Sequence, residues 1–163
     1  MQVPGIYMLM VQAKLSENIT VGKLGTIRMS PGWYCYVGSA MGGVSGRLQR
    51  HLSQTKKLWW HIDYMLKRYR PSTVIWAHSE ERFECAIAQK LTVDRVKIIP
   101  GFGSSDCRCP SHLFFDSHIK PLKANVKTIL YDLGLVPRSM SVPLIIKRRD
   151  LQHEVLESCT KDR

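Results

Sequence analysis

One stretch constrains the fold more than any other: Gly32-Trp33-Tyr34-Cys35-Tyr36-Val37-Gly38-Ser39-Ala40 and the segment that follows it. Residues 35–37 are apolar, β-branched or aromatic, the pattern of a short buried strand. Gly38-Ser39 then lets the backbone turn without a Cβ in the way. A helix is predicted from Val44-Ser45, with Ser45 as N-cap and Val44, Leu48 and Leu52 as its apolar face. Arg47 and His51, four residues apart, share a neighbouring helix face, with Arg50 beside them. A strand-end tyrosine, a glycine turn and an Arg/His helix face thus converge on one spot suited to a phosphate.

Upstream, residues 5–13 (Gly-Ile-Tyr-Met-Leu-Met-Val-Gln-Ala) are short and nearly all apolar, which predicts a central strand. Residues 19–21 and 25–29 follow as a second strand broken by Gly22 and Gly25, and Ser30-Pro31-Gly32 turns the chain into the organising strand. Short turns between these strands predict an antiparallel meander. Downstream, Trp59, Ile62, Leu66 and Tyr69 line one face of a second helix that ends at Arg70-Pro71. Residues 73–77 form a strand. Ser79 is the expected cap of a third helix, with Glu80 and Glu81 in its first turn and Phe83, Ile87 and Leu91 facing inward. Residues 96–99 make a last short strand. After Phe115 the composition changes. Residues 117–163 offer a helix near 122–133 and an apolar stretch at 142–146 followed by Lys147-Arg148-Arg149, read together as an appendage. The fold class expected is α+β: a small central antiparallel sheet flanked by helices.

Composition narrows the partners. The net charge is +11, and between Arg47 and Arg70 seven basic residues (Arg47, Arg50, Lys56, Lys57, Lys67, Arg68, Arg70) stand against Asp63 alone. Such a stripe favours a polyanion. No run of about 18 apolar residues is present, so a membrane span is not expected. The start lacks a basic segment followed by an apolar one, so secretion is not expected. Five cysteines at irregular spacing suit reduced thiols in the cytoplasm, nucleoid or nucleus.

Cleaving a phosphodiester requires charge neutralisation, an activated water and help for the leaving oxygen. Arg47 suits the first task through its permanent charge and planar fork. His51, Tyr7 or Tyr36 could take a proton from water or hold it in line. Glu84, set among Cys85, Ala86 and Ala88, could bind a hard divalent cation. A strand tyrosine taken alone is more often core filler.

These residues match a pattern. Gly5-Ile6-Tyr7, Tyr36-Val37-Gly38-Ser39, Arg47-x-x-x-His51 and Glu84 in a later helix resemble the GIY-YIG nuclease superfamily, in the same order and over about residues 4–116. The resemblance implies a nuclease-like domain at 1–116, a basic extension at 117–163, and metal-dependent endonuclease activity on DNA, with RNA also open as substrate. It implies catalytic roles for Tyr7, Tyr36, Arg47, His51 and Glu84, with Glu84 holding one Mg2+ or Mn2+ ion. The base is left open among Tyr7, Tyr36 and His51. Ser39, Arg50, Lys56, Lys57, Arg68, Arg70, Ser104 and Ser105 are the expected nucleic-acid contacts. Trp60-His61-Ile62-Asp63-Tyr64 and the segment 100–112 (Pro-Gly-Phe-Gly-Ser-Ser-Asp-Cys-Arg-Cys-Pro-Ser-His) resemble a small subfamily whose members occur alone or attached to DNA-repair enzymes. A DNA-repair protein is therefore an expected partner, and a binding module or scaffold without cleavage is the alternative. Where many such nucleases have a late asparagine, this chain has Ser104, Ser105 and Asp106.

The glycine-rich part of segment 100–112 could present backbone N–H groups to a phosphate. Cys107-x-Cys109-x-x-His112 could bind zinc, but it supplies three ligands at an unusual spacing, and a tight turn with reduced thiols is preferred. His61 and Asp63 do not face one another on a helix, so they are expected to fix the helix start or line the cleft.

Overall fold

A computed structural model describes residues 2–94 and 96–142. Its centre is β1 (Gly5–Ala13), hydrogen-bonded on both sides. One neighbour is β4 (Gly32–Ala40) and the other β5 (Pro71–His78), both antiparallel to it. Beyond β4 lie β7 (Leu113–Asp116) and β6 (Lys97–Ile98), and beyond β5 lies β8 (Arg138–Ser141). The six-stranded sheet therefore runs β6-β7-β4-β1-β5-β8. Helices on both faces make this the expected α+β fold.

The near-continuous apolar run of β1 has a direct cause: both faces of the strand are covered. Side chains alternate across a strand. Tyr7, Leu9 and Val11 enter one core with α1 (Val44–Leu52) and α2 (His61–Leu66), while Ile6, Met8 and Met10 enter the other with α3 (Glu84–Val93) and α4 (Ile119–Asp132). Ile6, Met8, Leu9, Met10 and Val11 are wholly buried. Each such side chain contributes about 1.5–3 kcal/mol at most.

Several expectations are corrected. The first strands do not form a meander: β2 (Glu17–Val21) and β3 (Gly25–Met29) pair only with each other, and β1 passes over them to β4. The hairpin lies instead under α2, where Val21 and Met29 join the first core. The second helix is shorter than its apolar spacing suggested, and Trp59 is outside it and 69% exposed. Gly43 occupies the N-cap of α1 in place of Ser45. The third helix starts at Glu84, five residues after Ser79. The Ser79 hydroxyl accepts from the Glu81 N–H and donates to the Glu81 carbonyl, so it closes a local turn and caps nothing.

The boundary drawn after residue 116 is not an edge of the fold. In α4, Leu122, Val126, Ile129 and Leu130 pack into the second core against Ile87, Leu91 and Phe114, and β8 completes the sheet against β5. The apolar stretch at 142–146 lies, except for Val142, outside the described residues, as does 147–149. Among the described residues no helix is long and apolar enough to cross a membrane.

A chain ended after residue 116 should expose the face carrying Ile87, Leu91 and Phe114. It should bind a hydrophobic dye and lose its cooperative melt and near-ultraviolet circular dichroism, whereas one ended after residue 142 should keep both.

Candidate functional site

Two glycines explain how a tyrosine is placed at the start of β1. A Cβ on Gly5 would lie 2.3 Å from the Ala77 carbonyl oxygen of β5, so the strands approach closely only with glycine there. Tyr7 lies directly across from Gly38 of β4, and a Cβ on Gly38 would lie 2.5 Å from the Tyr7 hydroxyl. The phenol of Tyr7 fills the volume a side chain at 38 would occupy. It is held there by a 2.7 Å hydrogen bond between its hydroxyl and His51 Nε2 of α1.

Behind His51 stands Asp63, fully buried in α2. Its Oδ2 accepts from the N–H groups of Trp59 (3.0 Å) and Trp60 (3.1 Å) and pairs with Arg50 Nη2 at 2.9 Å. Its Oδ1 lies 3.8 Å from His51 Nδ1. Burial works to raise the Asp63 carboxyl, but His51, the two N–H donors and Arg50 outweigh it and hold it well below the usual carboxylate range. Burial lowers the His51 imidazole despite Asp63 beside it, so the ring is neutral at neutral pH. Burial, with Tyr36 beside it, raises the Tyr7 phenol well above its ordinary value; Tyr36 is raised by burial likewise. A neutral His51 with Nδ1–H toward Asp63 leaves Nε2 as acceptor for the Tyr7 O–H. The order Asp63, His51, Tyr7 is that of an orienting carboxylate, a proton acceptor and a hydroxyl.

Tyr7, Tyr36, Arg47 and Glu84 line one open cleft of about 340 Å3, together with Ser39, Trp60, Arg82, Gly103, Asp106 and His112. Strand β1, the end of β4, α1, the start of α3 and the loop before β7 thus meet at this point. Arg47 is stacked on Trp60, its guanidinium carbon 4.3 Å from the ring centroid, and Arg50 lies 4.5 Å from the same ring. The Trp60 indole keeps a flexible cation at the cleft wall. Opposite, Glu84 Oε2 is buried and makes no hydrogen bond among the described residues. An oxygen in that state is costly unless a cation or donor meets it.

The expected contacts divide sharply. Ser39 lines the cleft, but His51 stands one layer behind Tyr7. Arg50 is committed to Asp63, and the Lys56 ammonium donates to the His51 carbonyl. Lys57 lies over the exposed Trp59 ring, and Arg68 pairs with Glu17 of β2 at 2.9 Å. Arg70 is half-buried just ahead of β5, Ser104 is buried and Ser105 exposed; none of the three lines the cleft. The glycine-rich loop is not a phosphate nest across Gly101–Gly103, because those N–H groups donate to Pro110 O, Ile99 O and His61 Nδ1. Asp63 does fix the start of its helix, as expected. Arg82 was not singled out, and Asp106 was named only as standing where many such nucleases have a late asparagine; both sit in loops, where no periodicity marks the inward face.

A second cluster lies against the same wall. Cys85 of α3, Cys107 and Cys109 of the loop, and His112 place four ligand atoms within 4.8 Å of one another. This group could hold a metal ion. The loop alone offered three ligands; the fourth, Cys85, comes from a different element, and only the packing of α3 supplies it.

A family model described as a domain of unknown function, DUF123, matches residues 6–135. The chain belongs to the DUF123 family. No curated protein and no solved structure matches it. The DUF123 match runs through α4, in keeping with the packing of that helix into the core.

Removing the Asp63 carboxylate takes its ion-pair partner from Arg50 and the acceptor from the Trp59 and Trp60 N–H groups. Asp63→Ala should therefore cost about 3 kcal/mol or more in denaturant unfolding. Because the folded carboxyl is held below its ordinary 3.8, its contribution is complete above that pH and is lost below it. The stability gap to Asp63→Asn should accordingly narrow as pH falls through about 3.8. Gly38→Ala should displace the Tyr7 ring, seen as a changed tyrosine near-ultraviolet signal, and destabilise by about 1–3 kcal/mol.

Proposed function

We propose that this protein is a GIY-YIG-type endonuclease that hydrolyses phosphodiester bonds in DNA with the help of one Mg2+ or Mn2+ ion, in DNA repair or processing. The observation that carries this reading is the meeting of Tyr7, Tyr36, Arg47 and Glu84, far apart in sequence, on one cleft. Arg47, oriented by Trp60, and Arg82 neutralise the scissile phosphate, and the net charge of +11 draws the polyanion in. The unpaired Glu84 oxygen fits a hard cation, with Asp106 as a second carboxylate in reach of the cleft. Such an ion, when bound, stabilises charge on the phosphate and the leaving oxygen.

Of the candidate bases, Tyr7 is favoured. Its hydroxyl can take a proton from water while passing its own to the neutral His51, which Asp63 orients. Tyr36, raised by burial and without that relay, positions the water instead. The free thiols of Cys35, Cys85, Cys107 and Cys109 suit a reducing cytoplasm, nucleoid or nucleus.

The test is cleavage of nicked, branched, single-stranded and supercoiled DNA, and of RNA, with Mg2+ or Mn2+. The parent should cut at least one of these, and Glu84→Ala should lower the rate by about 100-fold or more while keeping affinity. Arg47→Ala should weaken binding and flatten its salt dependence. The rate should hold through pH 6.5 and fall only at lower pH, because burial lowers the His51 imidazole from its ordinary value. A second reading, a binding module or scaffold for a DNA-repair partner, is favoured by one observation: both cleft tyrosines are buried phenols with raised pKa. Salt-sensitive binding with no cleavage by parent or variant supports that reading and rejects the enzyme.

A further inference from the structure

We infer that Cys85, Cys107, Cys109 and His112 form a structural zinc site that clamps the start of α3 to the loop before β7. The inference is independent of DNA cleavage: it concerns a different ligand set and holds for nuclease and binding module alike.

The spacing of the four ligand atoms fits one small ion. Zinc bound by thiolate sulfur at about 2.3 Å and imidazole nitrogen at about 2.0–2.1 Å sets neighbouring ligands roughly 3.5–3.8 Å apart. His112 Nε2 lies 3.5 Å from Cys107 Sγ and 3.9 Å from Cys85 Sγ, and all four ligand atoms fall within 4.8 Å of one another. The other ring nitrogen, His112 Nδ1, faces the Val37 carbonyl at 3.3 Å. An Nδ1–H donating there leaves the Nε2 lone pair turned toward the three sulfurs, the usual second contact of a zinc-bound imidazole.

Ligand chemistry selects the ion. Three soft sulfurs and one imidazole suit zinc, which takes such ligands tetrahedrally, and are poor partners for the hard cations that carboxylates hold. Four protein ligands also leave no open position, which marks a structural and not a catalytic ion. Cys109 and His112 are 8% and 5% exposed, while Cys85 and Cys107 are half-buried and leave a path for entry. As three Zn–S bonds form, three thiol protons pass to solvent.

The clamp has a consequence for the cleft. Cys85 follows Glu84 directly in α3, and His112 is itself a cleft residue beside Gly103 and Asp106. The ion ties the helix bearing Glu84 to the loop bearing Asp106 and so fixes the separation of these two carboxylates.

The experiment uses the full chain, expressed without a metal-binding tag and purified under reducing conditions. Elemental analysis should find about one zinc per chain, and Glu84→Ala should retain it. Removal by a chelator should lower the melting temperature, with zinc restoring it and magnesium not. Cobalt in place of zinc should give the intense visible bands of a tetrahedral thiolate complex, and Cys85→Ser should weaken them and lower zinc retention. If the serine variant fails to fold, the parent's stoichiometry and cobalt spectrum decide. A folded parent that retains no zinc after dialysis, one that holds iron instead, a cobalt spectrum with only weak octahedral bands, or a Cys107–Cys109 disulfide in the reduced preparation overturns the inference.

Discussion

The buried Asp63 carboxylate is the interaction on which the site depends. A charge removed from water survives only where donors surround it, and here they come from the Arg50 guanidinium of α1 and the Trp59 and Trp60 backbone, with His51 Nδ1 3.8 Å away. Each partner does something else besides. Arg50 ties α1 to α2. The Trp60 N–H fixes where α2 begins and thereby sets the indole under Arg47. His51, held near Asp63, receives the Tyr7 hydroxyl. A single anion thus orders one wall of the cleft, from the Arg47 guanidinium to the tyrosine of the central strand.

The facing wall is organised differently. Glu84 opens α3, and its neighbour Cys85 turns toward sulfur and imidazole groups of the loop before β7. Where the Asp63 wall is closed by hydrogen bonds already made, this wall carries groups whose natural partners are cations: a buried carboxylate oxygen without a donor, and three sulfurs around one imidazole nitrogen. Hard and soft ligands sit side by side but do not mix, because carboxylate and thiolate prefer different ions.

Much of the basic stripe between Arg47 and Arg70 has structural work. Arg50, Lys56 and Arg68 each meet an internal partner, and Arg47 alone of the seven lines the cleft. Charge counting along a sequence cannot separate a cation that faces solvent from one that neutralises a buried anion. Arg82, outside the stripe, takes a place in the cleft that the stripe was expected to fill.

From sequence alone, the apolar run of residues 5–13 determined a central strand, the spacing of Val44 and Leu48 determined a helix, and residues 35–37 determined a strand, although β4 runs straight through the turn expected at Gly38-Ser39 and stays paired with β1 as far as Ala40. These are local patterns with periods of two and 3.6 residues, and they survive any tertiary arrangement. The tertiary structure decided that β1 pairs with β4 past the β2–β3 hairpin, that α4 and β8 belong to the core, and that Cys85 completes a ligand set begun by Cys107, Cys109 and His112. Those outcomes depend on which buried faces meet, a matter of long-range burial that no window of neighbouring residues encodes.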